Sequence, residues 1–219
     1  MEDNVMSQNN LASKKIIYKL GFYSAILSFV FGMGYIIAQF AQFAGIPSAP
    51  WHLMTLMFPS FLLALSFVIL MISIHYYASD ERKIWSHIGL TFAIMYAVLT
   101  TTVYFLQMTV LLPLTLIGET DKVAFLIFDK PSFIYGLDAL GYSFMSLATL
   151  FVSLVFVGGR LERLTRWALI ANGLLTPGLL LQQNYILAFY VGALWIFTFP
   201  ISTALLALLF KRVSVQAAV

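Results

Sequence analysis

From Gly21 to Ser79 the chain carries no Asp, Glu, Lys or Arg. A membrane-crossing helix needs about 20 mainly apolar residues, so charge-free intervals act as a ruler. The first interval is too long for one helix. It breaks at Gly45-Ile46-Pro47-Ser48-Ala49-Pro50, a cluster that cannot continue a helix. Two spans are predicted, at about 20–42 and 52–77. The interval Ile84–Gly118 is long for one helix and short for two with a turn. It predicts one long or tilted span at about 86–112, ended or kinked by Pro113. Pro131–Gly159 holds a single charge, Asp138. It predicts a fourth span at about 132–157, with Pro131 suited to the first helical turn. Trp167–Phe210 is charge-free again and divides at Gln182-Gln183-Asn184. The last two spans follow, at about 167–182 and 185–210.

Composition agrees. The chain is 61% hydrophobic and 10% charged, where a soluble domain carries about 25% charged residues. Water-soluble enzyme folds are excluded. Long continuous apolar runs, without alternation, exclude a membrane β-barrel, and backbone groups in hydrocarbon then require helices. The expected fold is an all-α bundle of six transmembrane helices. The polar segment 1–13 is expected to be disordered, 14–212 to form one domain, and 213–219 a short tail. The first apolar run exceeds the length of about 7–15 residues typical of a cleavable signal core, so no signal peptide is expected.

Charge sets the orientation. Lys14, Lys15, Lys19, Arg82, Lys83, Arg160, Arg163, Arg166, Lys211 and Arg212 fall on one side of a six-span chain. Lys122 and Lys130 fall on the other, among Glu119, Asp121 and Asp129. Both termini are therefore expected in the cytoplasm. Tyr18, Tyr76, Tyr77, Trp85 and Trp167 mark inner ends, and Trp51 and Tyr185 outer ends, where amphipathic rings settle. No cysteine is present, which excludes disulfides, thiol catalysis and Cys-type metal sites. A net charge of +3, scattered along the chain, does not suggest a nucleic-acid partner. The bilayer is the expected partner.

Function is sought first among polar groups inside the spans. An ionisable residue at mid-membrane costs roughly 2.5–3.5 kcal/mol on insertion scales and marks a functional position by default. Asp138 is the only one here. It lies about 10 Å into the fourth span, at 1.5 Å per residue, in the outer third. Tyr142 at i+4 and Tyr135 at i−3 share its face, so a phenol can donate to the carboxylate. Gln39 and Gln42 end the first helix at the outer side, His52 begins the second, Gln107 nears the end of the third, and Gln182, Gln183 and Asn184 cap the fifth. An outward-facing polar pocket lined by Asp138, Tyr142, Gln107 and Gln39 is the sharpest expectation. The alternative is an Asp reaching the outer headgroups, with Gln and Asn side chains simply meeting water. No Lys or Arg lies within the neighbouring spans, so a proton or a small cationic ligand is the natural partner of the carboxylate.

Other features read as structural. His75, Asp80, Glu81 and His87 match no metal-ligand spacing, and Asp80-Glu81-Arg82-Lys83 is self-neutralising, so neither a metal nor another cofactor is expected. Thr100, Thr101, Thr102, Asn172 and Thr176 suit packing within and between helices, worth roughly 0.6–2 kcal/mol each in model systems. Ser24, Ser28 and Gly32 form a small-residue ridge suited to an internal helix contact. Phe58-Pro59-Ser60 echoes Phe199-Pro200-Ile201-Ser202, which leaves an internal repeat conceivable. Catalytic patterns such as GxSxG, HExxH, Walker A and GxGxxG are absent.

Tyr135-Gly136-Leu137-Asp138-Ala139-Leu140-Gly141-Tyr142, then Met145-Ser146-Leu147-Ala148-Thr149-Leu150-Phe151 and Ala171-Asn172-Gly173, resembles a group of small uncharacterised prokaryotic integral membrane proteins. The resemblance runs over most of the chain after residue 20. It implies a multi-pass protein of the cell inner membrane and brings no activity, ligand or catalytic residue with it. Three function classes stay open. One is small-ligand or cation binding or transport through the pocket around Asp138. Another is a structural, assembly or regulatory role without a small ligand. The third is an intramembrane lipid-modifying enzyme, for which no acid–base pair or metal set is found.

Overall fold

A computed structural model describes residues 2–216, with side chains described from Ser13 onward. The chain is all-helical among these residues: α1 (Glu2–Phe43), α2 (His52–Tyr77), α3 (Lys83–Leu106), α4 (Leu112–Leu116), α5 (Phe133–Val152), α6 (Arg160–Gly173), α7 (Thr176–Leu181), α8 (Ile186–Ala193) and α9 (Trp195–Gln216). They combine into six segments long and apolar enough to cross a membrane: Ser13–Phe43, His52–Tyr77, Asp80–Leu116, Phe133–Val155, Arg160–Leu181 and Ile186–Gln216. Six were expected and six are present.

The differences from expectation have local causes. Helical backbone runs through 2–13, where the sequence alone reads a disordered tail; extending a formed helix costs far less than nucleating one. At the other terminus α9 continues to Gln216 through most of the expected tail, and 217–219 lie outside the described residues. The third segment is not ended by Pro113. A π-turn at Gln107–Leu111 precedes it, and helix resumes at Leu112–Leu116. The wide turn absorbs the hydrogen bond that proline cannot donate. Pro131 lies before the N-cap of α5 rather than in its first turn, since Ser132 caps the helix by accepting from the Tyr135 N–H at 3.2 Å. The fifth segment starts at Arg160, earlier than expected, with Arg160, Arg163 and Arg166 in its first two turns. Long basic side chains can lay their stems on apolar surface and keep their charge in water.

The helices close into a ring in which α1 packs on α2 and α9, α3 on α2 and α5, and α6 on α5 and α9. Aromatic rings fill the centre. Phe67 of α2 packs edge-on to Tyr96 of α3 at 5.7 Å and lies 5.9 Å from Phe199 of α9, all three fully or almost fully buried. The Ser24–Ser28–Gly32 ridge is an internal seam. Ser28 donates to Ser66 Oγ of α2 at 3.1 Å, and a Cβ on Gly32 would lie 3.2 Å from Phe199. Asn172 ties three helices together. Its Nδ2 donates to Thr149 Oγ1 of α5 at 3.1 Å, and its Oδ1 accepts from Thr198 Oγ1 of α9 at 2.8 Å. Phe58 and Phe199 are not equivalent despite their similar strings: Phe58 is 51% exposed and Phe199 fully buried.

One end of the bundle, the terminal end, carries Tyr77, the 77–83 and 155–160 connections and all ten basic residues of the larger charge set. There the Tyr77 hydroxyl donates to Glu162 at 2.6 Å, and Glu162 also accepts the Val157 and Gly158 N–H groups. The opposite loop end carries the 43–52, 116–133 and 181–186 connections. Large apolar side chains such as Ile37, Phe40, Val98, Leu187 and Phe197 are exposed around the circumference, the arrangement expected of lipid-facing positions.

Candidate functional site

Asp138 stands in the second turn of α5, below the loop end. Its Oδ1 is sealed from solvent and has no hydrogen-bond partner. Among the described residues the ion pairs are Lys83–Asp80 and Lys122–Glu119, both away from it. The carboxyl lies within electrostatic range of five phenols: Tyr35 of α1, Tyr96 and Tyr104 of α3, and Tyr135 and Tyr142 of its own helix. No cationic side chain is among those partners.

The phenols on its own helix do not serve the carboxylate in the way the spacing suggests. The Tyr135 hydroxyl donates to Gln182 Oε1 at 3.0 Å, tying α5 to the end of α7. Tyr104 approaches the carboxyl, yet its hydroxyl donates to the Tyr142 hydroxyl at 3.1 Å. The backbone explains both arrangements. Residues four apart share a helical face, which stacks Tyr142 one turn beyond Asp138 and Tyr104 two turns beyond Tyr96. The close packing of α3 on α5 needs glycine, since a Cβ on Gly141 would lie 2.6 Å from Thr100 Cγ2. This contact brings the two phenol pairs together.

Trp195 of α9 closes the cluster. Its ring packs edge-on to Tyr142 at 5.2 Å and to Tyr35 at 6.0 Å, and stacks on Phe199 at 4.9 Å. Tyr96 packs edge-on to Tyr142 at 5.6 Å. Trp195 sits immediately after Leu194, where the sixth segment breaks between α8 and α9. Gly178 permits the close crossing of α7 and α8 beside this break, because a Cβ there would lie 2.7 Å from Val191 Cγ1 and 2.8 Å from the Gly192 nitrogen.

Of the four expected site residues, Asp138 and Tyr142 lie within this cluster. Gln107 follows Tyr104 by one turn and bonds instead to the 116–133 connection. It is fully buried, with Nε2 donating to the Leu126 carbonyl at 2.6 Å and Oε1 without a partner. Gln39 stands at the rim: its Oε1 accepts from Tyr35 at 3.1 Å and its Nε2 donates to Gln42 at 3.0 Å. Gln182 and Gln183 do more than face water. Gln182 accepts from Tyr135, and Gln183 Nε2 lies where a Cβ on Gly136 would come within 2.6 Å. Tyr35, Tyr96, Tyr104 and Trp195 were missed. The four-residue spacing of Tyr96, Thr100 and Tyr104 was the available signal for one face of α3, whereas nothing in the sequence placed Trp195 at a helix break.

Several buried polar side-chain atoms lack a hydrogen-bond partner among the described residues. Besides Asp138 Oδ1 and Gln107 Oε1 they are the Tyr96 hydroxyl and Trp195 Nε1; Ser146 Oγ on α5 is a further one. Buried polar groups are ordinarily paired, and an exception calls for an explanation. Above the cluster, the Lys130 ammonium lies 3.5 Å from the Phe189 ring centroid and 4.9 Å from that of Tyr135. Burial there pushes this ammonium below its ordinary pKa. The terminal end differs in character. His75 Nδ1 meets Ser86 Oγ at 3.0 Å, and Ser86 Oγ also donates to the Lys83 carbonyl at 2.9 Å. Among the described residues no group of three or more His, Asp or Glu could hold a metal ion. Comparison with protein-family models, curated proteins and solved structures found no match to this chain.

Proposed function

We propose that this chain is a multi-pass protein of the cell inner membrane that binds a small cationic ligand or a proton at Asp138, as part of a transport or uptake activity. Both termini lie in the cytoplasm and the loop end faces outward. The distribution of Lys and Arg supports this orientation. One observation carries the functional reading: Asp138 Oδ1 is buried without a partner among phenols, with no Lys or Arg to neutralise it. A buried anion without a countercharge is expensive unless it takes up a proton or a cation.

The test is ligand-dependent stability. A ligand that binds the folded state raises its stability by mass action. Thermal unfolding of the detergent-purified chain is followed in sodium, potassium, ammonium, ethanolamine and choline chlorides at matched ionic strength, and across pH 5–8. Wild type is expected to gain stability with at least one cation or on acidification, and Asp138→Asn to lose that response while still unfolding cooperatively. Identical responses in the two proteins overturn the reading.

A further inference from the structure

We infer that a cavity between α6 and α9 at the terminal end holds the phosphodiester of an anionic glycerophospholipid, with Arg212 as its charged ligand. The cavity is separate from Asp138. The inference rests on the six segments crossing a bilayer, and on neither the cation reading nor the orientation of the termini.

The cavity is partly open and has a volume of about 160 Å³. A single water needs about 10–15 Å³, so a phosphate group with its substituents has room. Tyr77 ends α2, Gly159 precedes α6, and Arg212 and Gln216 stand one turn apart near the end of α9. The cavity therefore lies at the level where the segments leave hydrocarbon. The remaining lining is Glu162 beside Leu161, Leu209 and Val213. Polar and apolar walls border the same space. That mixture suits the junction of a lipid headgroup with its glycerol and first methylenes, and suits a free ion poorly.

Arg212 and Glu162 both line the cavity and do not pair. Among the described residues the ion pairs are Lys83–Asp80 and Lys122–Glu119. Glu162 is turned back on its own loop. Its Oε1 accepts from the Tyr77 hydroxyl at 2.6 Å, and its Oε2 from the Val157 and Gly158 N–H groups at 2.9 and 2.6 Å. These donors hold that charge in place. The Arg212 guanidinium is left without an ion-pair partner among the described residues. A guanidinium matches phosphate oxygens two at a time. Arg160 and Lys211, each next in sequence to a lining residue, are exposed and add positive charge nearby. Basic pockets between membrane helices recognise anionic headgroups in this way.

Gly159 offers an independent handle on the same space. Its backbone, at φ −66° and ψ −170°, is open to any residue, and a Cβ there would meet no atom within 4 Å. Gly159→Leu therefore adds bulk at the cavity wall without backbone strain and leaves every charge in place.

The full chain in dodecyl maltoside is titrated with phosphatidylglycerol or with phosphatidylcholine of the same acyl chains, and bound lipid is counted by native mass spectrometry. Phosphatidylglycerol is expected to bind at least about fivefold tighter, the scale of one basic side chain beside an anionic lipid. Arg212→Gln should remove that preference, and Gly159→Leu should weaken phosphatidylglycerol binding with all charges kept. Lys211→Gln makes the same charge change on the same helix outside the cavity. It should alter binding by less than about twofold, as a screened surface charge does. Glycerol 3-phosphate and inorganic phosphate carry the anion without acyl chains and should compete only weakly. Equal affinity for the two lipids, or equal losses in Arg212→Gln and Lys211→Gln, overturns the site and leaves only a diffuse positive surface. Full competition by glycerol 3-phosphate or inorganic phosphate overturns the lipid as ligand in favour of a soluble phosphate. Should Arg212→Gln not fold, Gly159→Leu decides, and unchanged phosphatidylglycerol binding in that variant overturns the inference.

Discussion

The Tyr104 hydroxyl of α3 donates to the Tyr142 hydroxyl of α5 at 3.1 Å, across a contact in which both side chains are buried. The bond ties Tyr142, one helical turn from Asp138, to α3 and directs the Tyr104 proton at the Tyr142 oxygen. Tyr104→Phe and Tyr142→Phe should each destabilise the protein by roughly 1–2 kcal/mol, a bond lost with its partner left buried. The double variant should cost less than the sum of the two, since neither hydroxyl is then orphaned. A double-mutant cycle from denaturation in detergent measures the coupling. Strict additivity would show that the two hydroxyls do not bond in the folded protein.

Two glycines named in one sequence resemblance answer to different neighbours. A Cβ on Gly173 would lie 2.5 Å from Leu150 Cβ, 2.8 Å from its Cα and 3.0 Å from its backbone nitrogen. The backbone of α5 cannot yield by that much without separating α5 from α6. A Cβ on Gly136 would meet the Nε2 of Gln183 at 2.6 Å, the far end of a flexible side chain. Gly173→Ala should therefore cost about 1–3 kcal/mol or more, as overpacking does. Gly136→Ala should cost under about 1 kcal/mol, because Gln183 can swing away. Melting temperatures of the two variants compare them directly, and equal losses would contradict this packing.

The six segments were legible because charge is so costly in hydrocarbon that its absence marks each span. Breaks within spans were harder to see. Leu194 separates α8 from α9 between ordinary apolar residues, and what permits the break is the approach of Gly178 to Val191 and Gly192, a contact between segments. Asp138 announced itself by its charge, and Tyr142 by its spacing from it. Tyr35 and Trp195 reach the site from α1 and α9, and no periodicity within one helix encodes which helices become neighbours. The Tyr135–Gln182 bond was missed for the same reason. Glutamine at a helix end reads as solvated until a phenol from another segment is brought to 3.0 Å.

Lys130 carries a charge of the same sign as the proposed ligand and rests on ring faces at the mouth of its site. It acts as a tethered competitor. Lys130→Gln removes the charge and keeps much of the side-chain length. Apparent affinity for the cation that stabilises wild type should rise by up to about fivefold, the scale of one partly exposed cation–π contact. Calorimetry of the variant beside wild type tests this at low salt, where charge repulsion is least screened. A fall in affinity would mean that Lys130 helps hold the ligand.

The charge distribution makes the orientation a testable matter, and the absence of cysteine makes the test simple. Single cysteines at Ser48 and Asp121 report the loop end, and at Ser79 and Arg163 the terminal end; all four positions are exposed. Glu162 is unsuitable because its carboxylate accepts from Tyr77, Val157 and Gly158, so its loss would unpick the 155–160 connection. Arg163 is one of ten basic residues at its end, so removing it should leave the orientation signal intact. In intact cells, a membrane-impermeant maleimide should label the cysteines at 48 and 121, and label those at 79 and 163 only after permeabilisation. Labelling of 79 or 163 from outside would invert the bundle and place the Asp138 site nearer the cytoplasmic face. Labelling of 48 and 121 from opposite sides would break the count of six crossings.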